Sequence, residues 1–428
     1  MSHMGNLLGA GLILLTLVGC GTTTESPAPS TISDPLSRAA QPTLPPVSTE
    51  EVAPPTPKAT ETLPPFDEGL RNATTQLLSQ AKLGAGKHML VIKPFIDGTG
   101  ATQSIATRAM EARLGDLLRT KQPRLVFQPF TMAGVDLATM VIAGTLTPVP
   151  AEGQADGMRN AYAICLALMD TKSKTLLSRA VARVERSGVN ATPTPFHQES
   201  PVWIKEESSS LYAKTCQSTK LGSAIPAAYF DNIQSTVAID QAITAYDSAR
   251  YSDALERFSR AFGLQRNDPL RAYNGLYLTY TKLNRSAAAD NVLAKLIDYG
   301  FSKKHFAIKF QFRPGVTDFA VDKSTRAYDS WLKEIAKRAV QGEHCLAITG
   351  HTSPSGHEPL NERLSLLRAE LVRNRLVAEA PPLAKRITVQ GAGSRDNLVG
   401  TGKDDPSDAL DRRVGFTVTS CGRSSQYY

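Results

Sequence analysis

Few residues of this 428-residue chain stand at the spacings that chemistry requires. Five cysteines come first: Cys20, Cys165, Cys216, Cys345 and Cys421. A thiolate can bind metal, pair as a disulfide, accept a lipid or act as a nucleophile. His351 and His357 flank one short stretch, but no Cys or carboxylate at ligand spacing completes a metal site with them. Asp97-Gly98-Thr99-Gly100 precedes a helical pattern, yet it has neither GxGxxG nor a following Gly-Lys-Ser/Thr. It reads as a strand-to-helix turn, not as a phosphate cradle. No Ser/His/Asp order or pair of carboxylates converges on a cleft. The expectation is a non-catalytic chain with no metal and no cofactor. What remains is a polar constellation near the C-terminus. It comprises Gly350-His351-Thr352-Ser353, then Asn361, Leu364-Ser365 and Arg368-Ala369, then Gly391-Ala392-Gly393, and finally Asp411-Arg412-Arg413-Val414.

Composition limits the partners. The chain is 41% apolar and 21% charged with a net charge of +8, an ordinary soluble balance that permits an anionic partner. No Lys/Arg block has interleaved aromatics, so nucleic acid is not an expected partner.

The setting of Cys20 separates it from the other four cysteines. Residues 7–17 form an apolar run too short to span a bilayer but suited to a signal-peptide core. The run leads to Leu17-Val18-Gly19-Cys20, which resembles a bacterial lipobox. That resemblance implies a signal peptide over 1–20 and a lipid on Cys20. Gly21 after the Cys, by resemblance to enterobacterial sorting, implies the outer membrane. Residues 21–65 are rich in Pro, Thr, Ser and Ala, with Pro45-Pro46 and Pro54-Pro55-Thr56-Pro57. Such a stretch buries too little apolar surface to offset its ordering entropy, and proline favours extended geometry. It is expected to be a tether without packed structure.

Periodic patterns begin at Phe66. Leu70, Leu77, Leu78 and Ala81 fit one helix face, and 88–95 reads as a strand. Ala106, Met110, Leu114 and Leu118 repeat at helical spacing. Strand candidates follow at 125–127, 140–144 and 162–168, with a hairpin turn at 171–174 into 176–181. The order implies an α/β sandwich over 66–225. Its pattern resembles the N-terminal domain of TolB-, CsgG- and LpoB-type envelope proteins. Residues 190–225 carry Pro193, Pro195, Pro201 and Pro226 and read as an irregular connector. Over 226–303 the chain turns helical. Ala254, Phe258 and Ala261 share a face, and Ala288 follows Ala254 at the period of tetratricopeptide repeats, which this region resembles. Two repeats are too few to stand alone, so they should pack on a neighbouring domain. They serve either as a groove for a partner peptide or as a helical spacer.

The C-terminal constellation then takes its place. A strand at 308–312, a helix around Trp331, a strand from Cys345, a helix through Arg368, a strand at 387–391 and a last strand after Asp411 frame it. The motifs G-H-T-x, N-x-x-L-S-x-x-R-A, G-x-G and x-R-R-V, in this order, resemble the OmpA-like family over 304–428. The whole is therefore expected to be α+β and multidomain: an α/β sandwich, short helical hairpins and a βαβαββ domain. The resemblance implies a grip on the diaminopimelate of peptidoglycan stem peptides through Thr352, Ser353, Asn361, Leu364, Arg368 and Arg412. Arg368 would take the ligand carboxylate with its guanidinium fork. The family places Asp, facing the ligand ammonium, where this chain has Ser353. Three outcomes stay open: a nearby acid such as Glu358 or Asp396 compensates, binding is weak, or the domain binds something else. Asp411 stands where the family has Asn and is placed to pair with either following arginine.

After lipidation of Cys20, four cysteines remain for an oxidising periplasm. Cys345 begins one strand and Cys421 ends the last, so these two meet if those strands are adjacent and antiparallel. Cys165 and Cys216 would then pair within the first domain. The alternative is buried free thiols. The reading is an envelope lipoprotein facing the periplasm. It joins outer-membrane lipid, through Cys20, to peptidoglycan, and recruits protein partners through its other domains. The alternative is a subunit of a secretion, adhesion or motility machine, or a regulator of wall synthesis, using the OmpA-like fold for protein interaction.

Overall fold

A computed structural model describes residues 62–150, 159–204, 206–264, 269–313, 315–319 and 327–421. The signal-like segment, Cys20 and nearly all of the tether stretch lie outside the described residues. The described residues form two five-stranded mixed sheets and twelve α-helices, an α+β fold.

The first sheet begins with α1 (Phe66–Gln80), β1 (His88–Ile92), α2 (Ile105–Lys121), β2 (Leu125–Gln128) and α3 (Met132–Leu137). It is completed by β3 (Met140–Val149), β4 (Ala161–Asp170) and β5 (Thr175–Glu185), in the order β2-β1-β3-β4-β5. The first three strands of that order are parallel and the last three antiparallel. β3 and β4 are nearly continuous apolar runs because both faces of the sheet are covered. Ile142, Leu146, Ile164 and Leu166 meet α1 and α2 on one face. Val141, Ala143, Cys165 and Ala167 face the other side. α2 is fixed at its start by a capping box, in which Ser104 Oγ accepts from Thr107 N at 3.2 Å and Thr107 Oγ1 accepts from Ser104 N at 2.8 Å.

The stretch 190–225 is not irregular. It holds α4 (Pro195–Glu199), β6 (Val202–Trp203) and α5 (Glu207–Gln217). The sequence of α5, ESSSLYAKTCQ, is a poor helix former, and its tertiary contacts supply what propensity does not. The Tyr212 hydroxyl, buried against the sheet, donates to Pro94 O at 3.0 Å and accepts from Gly144 N at 2.9 Å. Cys216 is disulfide-linked to Cys165 on β4, with Cα atoms 5.9 Å apart. β6 belongs to neither the connector nor the first sheet. It forms the edge of the second sheet, Val202 opposite Ile308 and Trp203 opposite Ala307. The chain thus crosses between sheets before the boundary expected at 225.

After α6 (Ala227–Asp231) come α7 (Ile233–Asp247), α8 (Tyr251–Leu264), α9 (Leu270–Lys282) and α10 (Ser286–Ser302). Similar turns, each with a left-handed residue, join the helices in pairs: Ala249 at φ 57° and Asn284 at φ 55°. Ala254, Phe258 and Ala261 are fully buried, and they belong to one core shared with the C-terminal region. Trp331 Nε1 donates to Tyr277 Oη at 2.6 Å, and Phe301 packs edge-on to Phe306. The two helical pairs are therefore stabilised by a neighbour, as their number requires.

The C-terminal part runs β7 (His305–Lys309), α11 (Tyr328–Gln341), β8 (Cys345–Gly350), α12 (Glu358–Glu379), β9 (Ile387–Gly391) and β10 (Arg413–Thr419). This is the expected βαβαββ order, and the sheet reads β6-β7-β10-β8-β9. The strand expected at 308–312 lies earlier. Its ladder ends with Lys309 opposite Arg413, so Phe310 has no strand to pair with and Phe312 makes only an isolated bridge with Phe319. They enter an aromatic cluster with Phe319, Tyr328 and Trp331 instead.

Candidate functional site

The C-terminal constellation gathers where the parallel strands β8 and β9 end against α12. Two glycines allow that approach. A Cβ on Gly350 would stand 2.0 Å from Ser365 O, and one on Gly391 would stand 2.4 Å from Glu362 O. Only glycine lets the helix backbone settle on both strand ends, which gives the two Gly motifs a physical reason. Ser365, between them, accepts from Gly393 N at 2.9 Å and pins the second turn.

Arg368 lies one helical turn beyond Leu364, which is half-buried on the same face. Its residue exposure is 3%, and its guanidinium stacks on Phe312 at 4.5 Å. Nε donates to Val316 O at 3.4 Å, and Nη2 donates to Val316 O at 3.3 Å and Arg313 O at 3.4 Å. These bonds are long for a charged donor, which prefers about 2.7–2.9 Å. No carboxylate among the described residues forms an ion pair with it. Burial holds its pKa down at about 10, partly offset by the charge of Asp404 and reinforced by that of Arg412.

Ser353 is 3% exposed and faces an unexpected carboxylate. Its Oγ donates to Asp404 Oδ1 at 2.8 Å, and Arg412 Nη1 donates to the same oxygen at 2.8 Å. Asp404 Oδ2 carries no hydrogen bond among the described residues, and the side chain is 30% exposed. Neither acid suggested by the sequence occupies that place. Glu358 accepts from Ser394 N at 3.0 Å and pairs with Arg395. Asp396 accepts through its backbone carbonyl from Arg413 at 3.1 Å, and its carboxylate makes no hydrogen bond among the described residues.

Asp411 pairs directly with neither arginine that follows it. Its carboxylate accepts from the backbone N–H of Leu398 at 2.6 Å, Val399 at 2.9 Å and Gly400 at 2.5 Å. Burial nevertheless pushes its pKa up to about 6. Asp408 accepts from Thr401 N at 2.8 Å and Asp404 N at 3.1 Å. Together the two aspartates shape the loop that delivers Asp404.

The other predicted residues line the same region. Thr352 N donates to Gly393 O at 2.9 Å, and its buried hydroxyl has no partner among the described residues. Asn361 Nδ2 donates to Gly356 O at 3.2 Å and closes the 353–357 turn. His351 is buried, and desolvation with the charges of Arg413 and His305 pulls its pKa down to about 3, so the imidazole is neutral. No metal-binding cluster of His, Cys, Asp or Glu occurs among the described residues. Cys345 and Cys421 are disulfide-linked, with Cα atoms 5.3 Å apart where β8 and β10 run antiparallel. Sequence reasoning missed Asp404, because nothing in its spacing ties it to Ser353. It also missed Arg159 and Arg186, which reach this loop from the first sheet.

The OmpA family profile matches residues 311–409. Outer membrane protein Omp38 of Acinetobacter baumannii is 40% identical over 95 residues, which cover 21% of this chain and 26% of that protein. The chain thus matches about a quarter of the length of the curated relatives. Among solved structures, the peptidoglycan-associated lipoprotein from Burkholderia pseudomallei is 23% identical with a TM-score of 0.22, covering 26% of this chain and 89% of the other. The cell wall anchor of the T6SS from Pseudomonas aeruginosa is 22% identical with a TM-score of 0.23, covering 29% and 95%. The C-terminal domain of this chain is OmpA-like.

Proposed function

We propose that this chain is a non-catalytic envelope lipoprotein whose OmpA-like domain anchors it to peptidoglycan. The observation that carries the reading is Arg368. A buried guanidinium whose hydrogen bonds among the described residues are all long and all to carbonyls is a costly arrangement unless a further partner completes it. A ligand carboxylate accepting both prongs of the fork would do so and fix the ligand's orientation. The diaminopimelate of a stem peptide carries a carboxylate beside an ammonium, and Arg368 lies near the carboxylate of Asp404, whose charge it feels. Ser353, Thr352, Asn361, Leu364 and Arg412 frame that pair. At the other end of the chain, a lipid on Cys20 holds the protein in the outer membrane, and the Pro-rich stretch serves as its tether. The α/β sandwich and the helical pairs present the surface that recruits protein partners.

Co-sedimentation of the full chain with purified sacculi tests the anchor. Wild type pellets with the wall. Arg368→Ala loses about ten- to a hundred-fold in affinity, the worth of a charged hydrogen-bonding group. A wild-type chain that stays in the supernatant sinks the proposal. Cys20→Ser tests the lipid anchor by releasing the protein from membranes.

A further inference from the structure

The loop that delivers Asp404 is held from two sides. From within its own domain, Asp411 and Asp408 take its N–H groups. The carbonyls of the same stretch are taken by another part of the molecule. Arg159 Nη2 donates to Asn397 O at 2.9 Å, and Nη1 donates to Leu398 O at 2.7 Å. Arg159 N donates to Gly400 O at 3.0 Å, and Arg186 Nη1 donates to Thr401 O. These arginines are not scattered. Arg159 leads into β4 and Arg186 follows β5, at the end of the hairpin where Ala161 pairs with Glu185. One hairpin of the first sheet thus clamps one loop of the second domain, through four carbonyls that would otherwise need other partners.

We propose that the α/β sandwich completes the ligand pocket of the OmpA-like domain: Arg159 and Arg186 fix the 397–401 stretch and so aim Asp404 at the ammonium of the ligand, beside Ser353. Asp404 is then the specificity-determining carboxylate, and the two arginines are positioning residues. The geometry leaves Asp404 Oδ2 open for this use, since Ser353 and Arg412 both bind Oδ1. Arg412 and Ser353 hold the carboxylate through that one oxygen, so the other need not reorganise to meet a cation. The inference rests on the cell-wall reading above and adds a partner for the positive end of the ligand. It also makes recognition of that end a property of the whole chain.

The test titrates the full chain with muropeptides from diaminopimelate-containing sacculi, and with the same muropeptides N-acetylated on the diaminopimelate amine. Wild type should prefer the free amine by about ten-fold or more, the value of a charge-assisted contact over a neutral one. Asp404→Asn should erase that preference and leave the acetylated form bound through Arg368. Adding Ser353→Asp to Asp404→Asn should restore it. Arg159→Ala with Arg186→Ala should also erase it at unchanged binding of the acetylated form, and the double Lys variant should recover part. A merely structural role for the arginines would lower both affinities together and overturn their assignment. Full preference in Asp404→Asn overturns the role of Asp404 while the cell-wall reading stands. Binding of neither muropeptide by wild type removes both proposals.

Discussion

The two sides of the proposed binding site are built on different terms. One side is a single helix: α12 carries Leu364, Ser365 and Arg368 on one face, and two glycines let it lie on the strand ends. The other side is a loop between β9 and β10, shaped by Asp408 and Asp411 and gripped by Arg159 and Arg186 of the first sheet. The helix side is local, and the contacts of Arg368 and Ser365 described above all lie within its own domain. The loop side depends on two buried aspartates close to it in sequence and on two partly buried arginines far from it in sequence. A function that uses both sides is therefore easier to tune, or to lose, from the loop.

The largest effect should come from the helix side. Arg368→Ala should reduce sacculus binding by about ten- to a hundred-fold, the worth of a charged hydrogen-bonding group. Arg368→Lys should recover little of the loss, since an ammonium lacks the planar fork. On the loop side, Asp411→Ala strands three backbone N–H donors. It should cost on the order of 2 kcal/mol in chemical denaturation and speed amide exchange at 398–400. Protection unchanged at those amides would mean that the loop does not depend on Asp411.

The seam between the two regions offers a pH test. Lys309 on β7 is buried, and its Nζ donates to His197 O at 2.5 Å at the end of α4. Desolvation pulls its pKa from 10.5 down to about 7. Between those values the folded state binds fewer protons than the unfolded chain, so this group makes stability rise with pH from about 7 to 10.5. The slope is at most on the order of 1.4 kcal/mol per pH unit. Denaturation of Lys309→Met across that range should show a shallower rise, and an unchanged rise would place its origin in other groups, such as the equally buried Lys93. The smallest effect concerns Ser353→Asp in an otherwise wild-type chain. It sets a second carboxylate against Asp404, so affinity for muropeptides should not improve. A clear gain would show that the site at 353 lacks a working carboxylate.

The same contrast governed what the sequence made legible. Arg368, Ser365 and the glycines were readable because their motifs lie within one helix and two strand ends, where spacing determines which side chains meet. The covered faces of β3 and β4 were readable from continuous apolar runs. Asp404 was not, because its relation to Ser353 passes through a loop whose shape is set by buried aspartates and by arginines of another sheet. α5 escaped notice because the Tyr212 hydroxyl and the Cys216 disulfide impose a helix on a serine-rich segment. β6 escaped because two residues carry no periodicity. The alternation of Phe310 and Phe312 suggested a strand, where the fold uses both rings as core.

The deciding measurement is a crystal structure of the full chain with diaminopimelate bound. A ligand carboxylate is expected within about 3 Å of both prongs of Arg368, and the adjacent ammonium on Asp404 Oδ2. A ligand whose carboxylate avoids Arg368, or whose ammonium turns to Glu358 or to solvent, would contradict that placement.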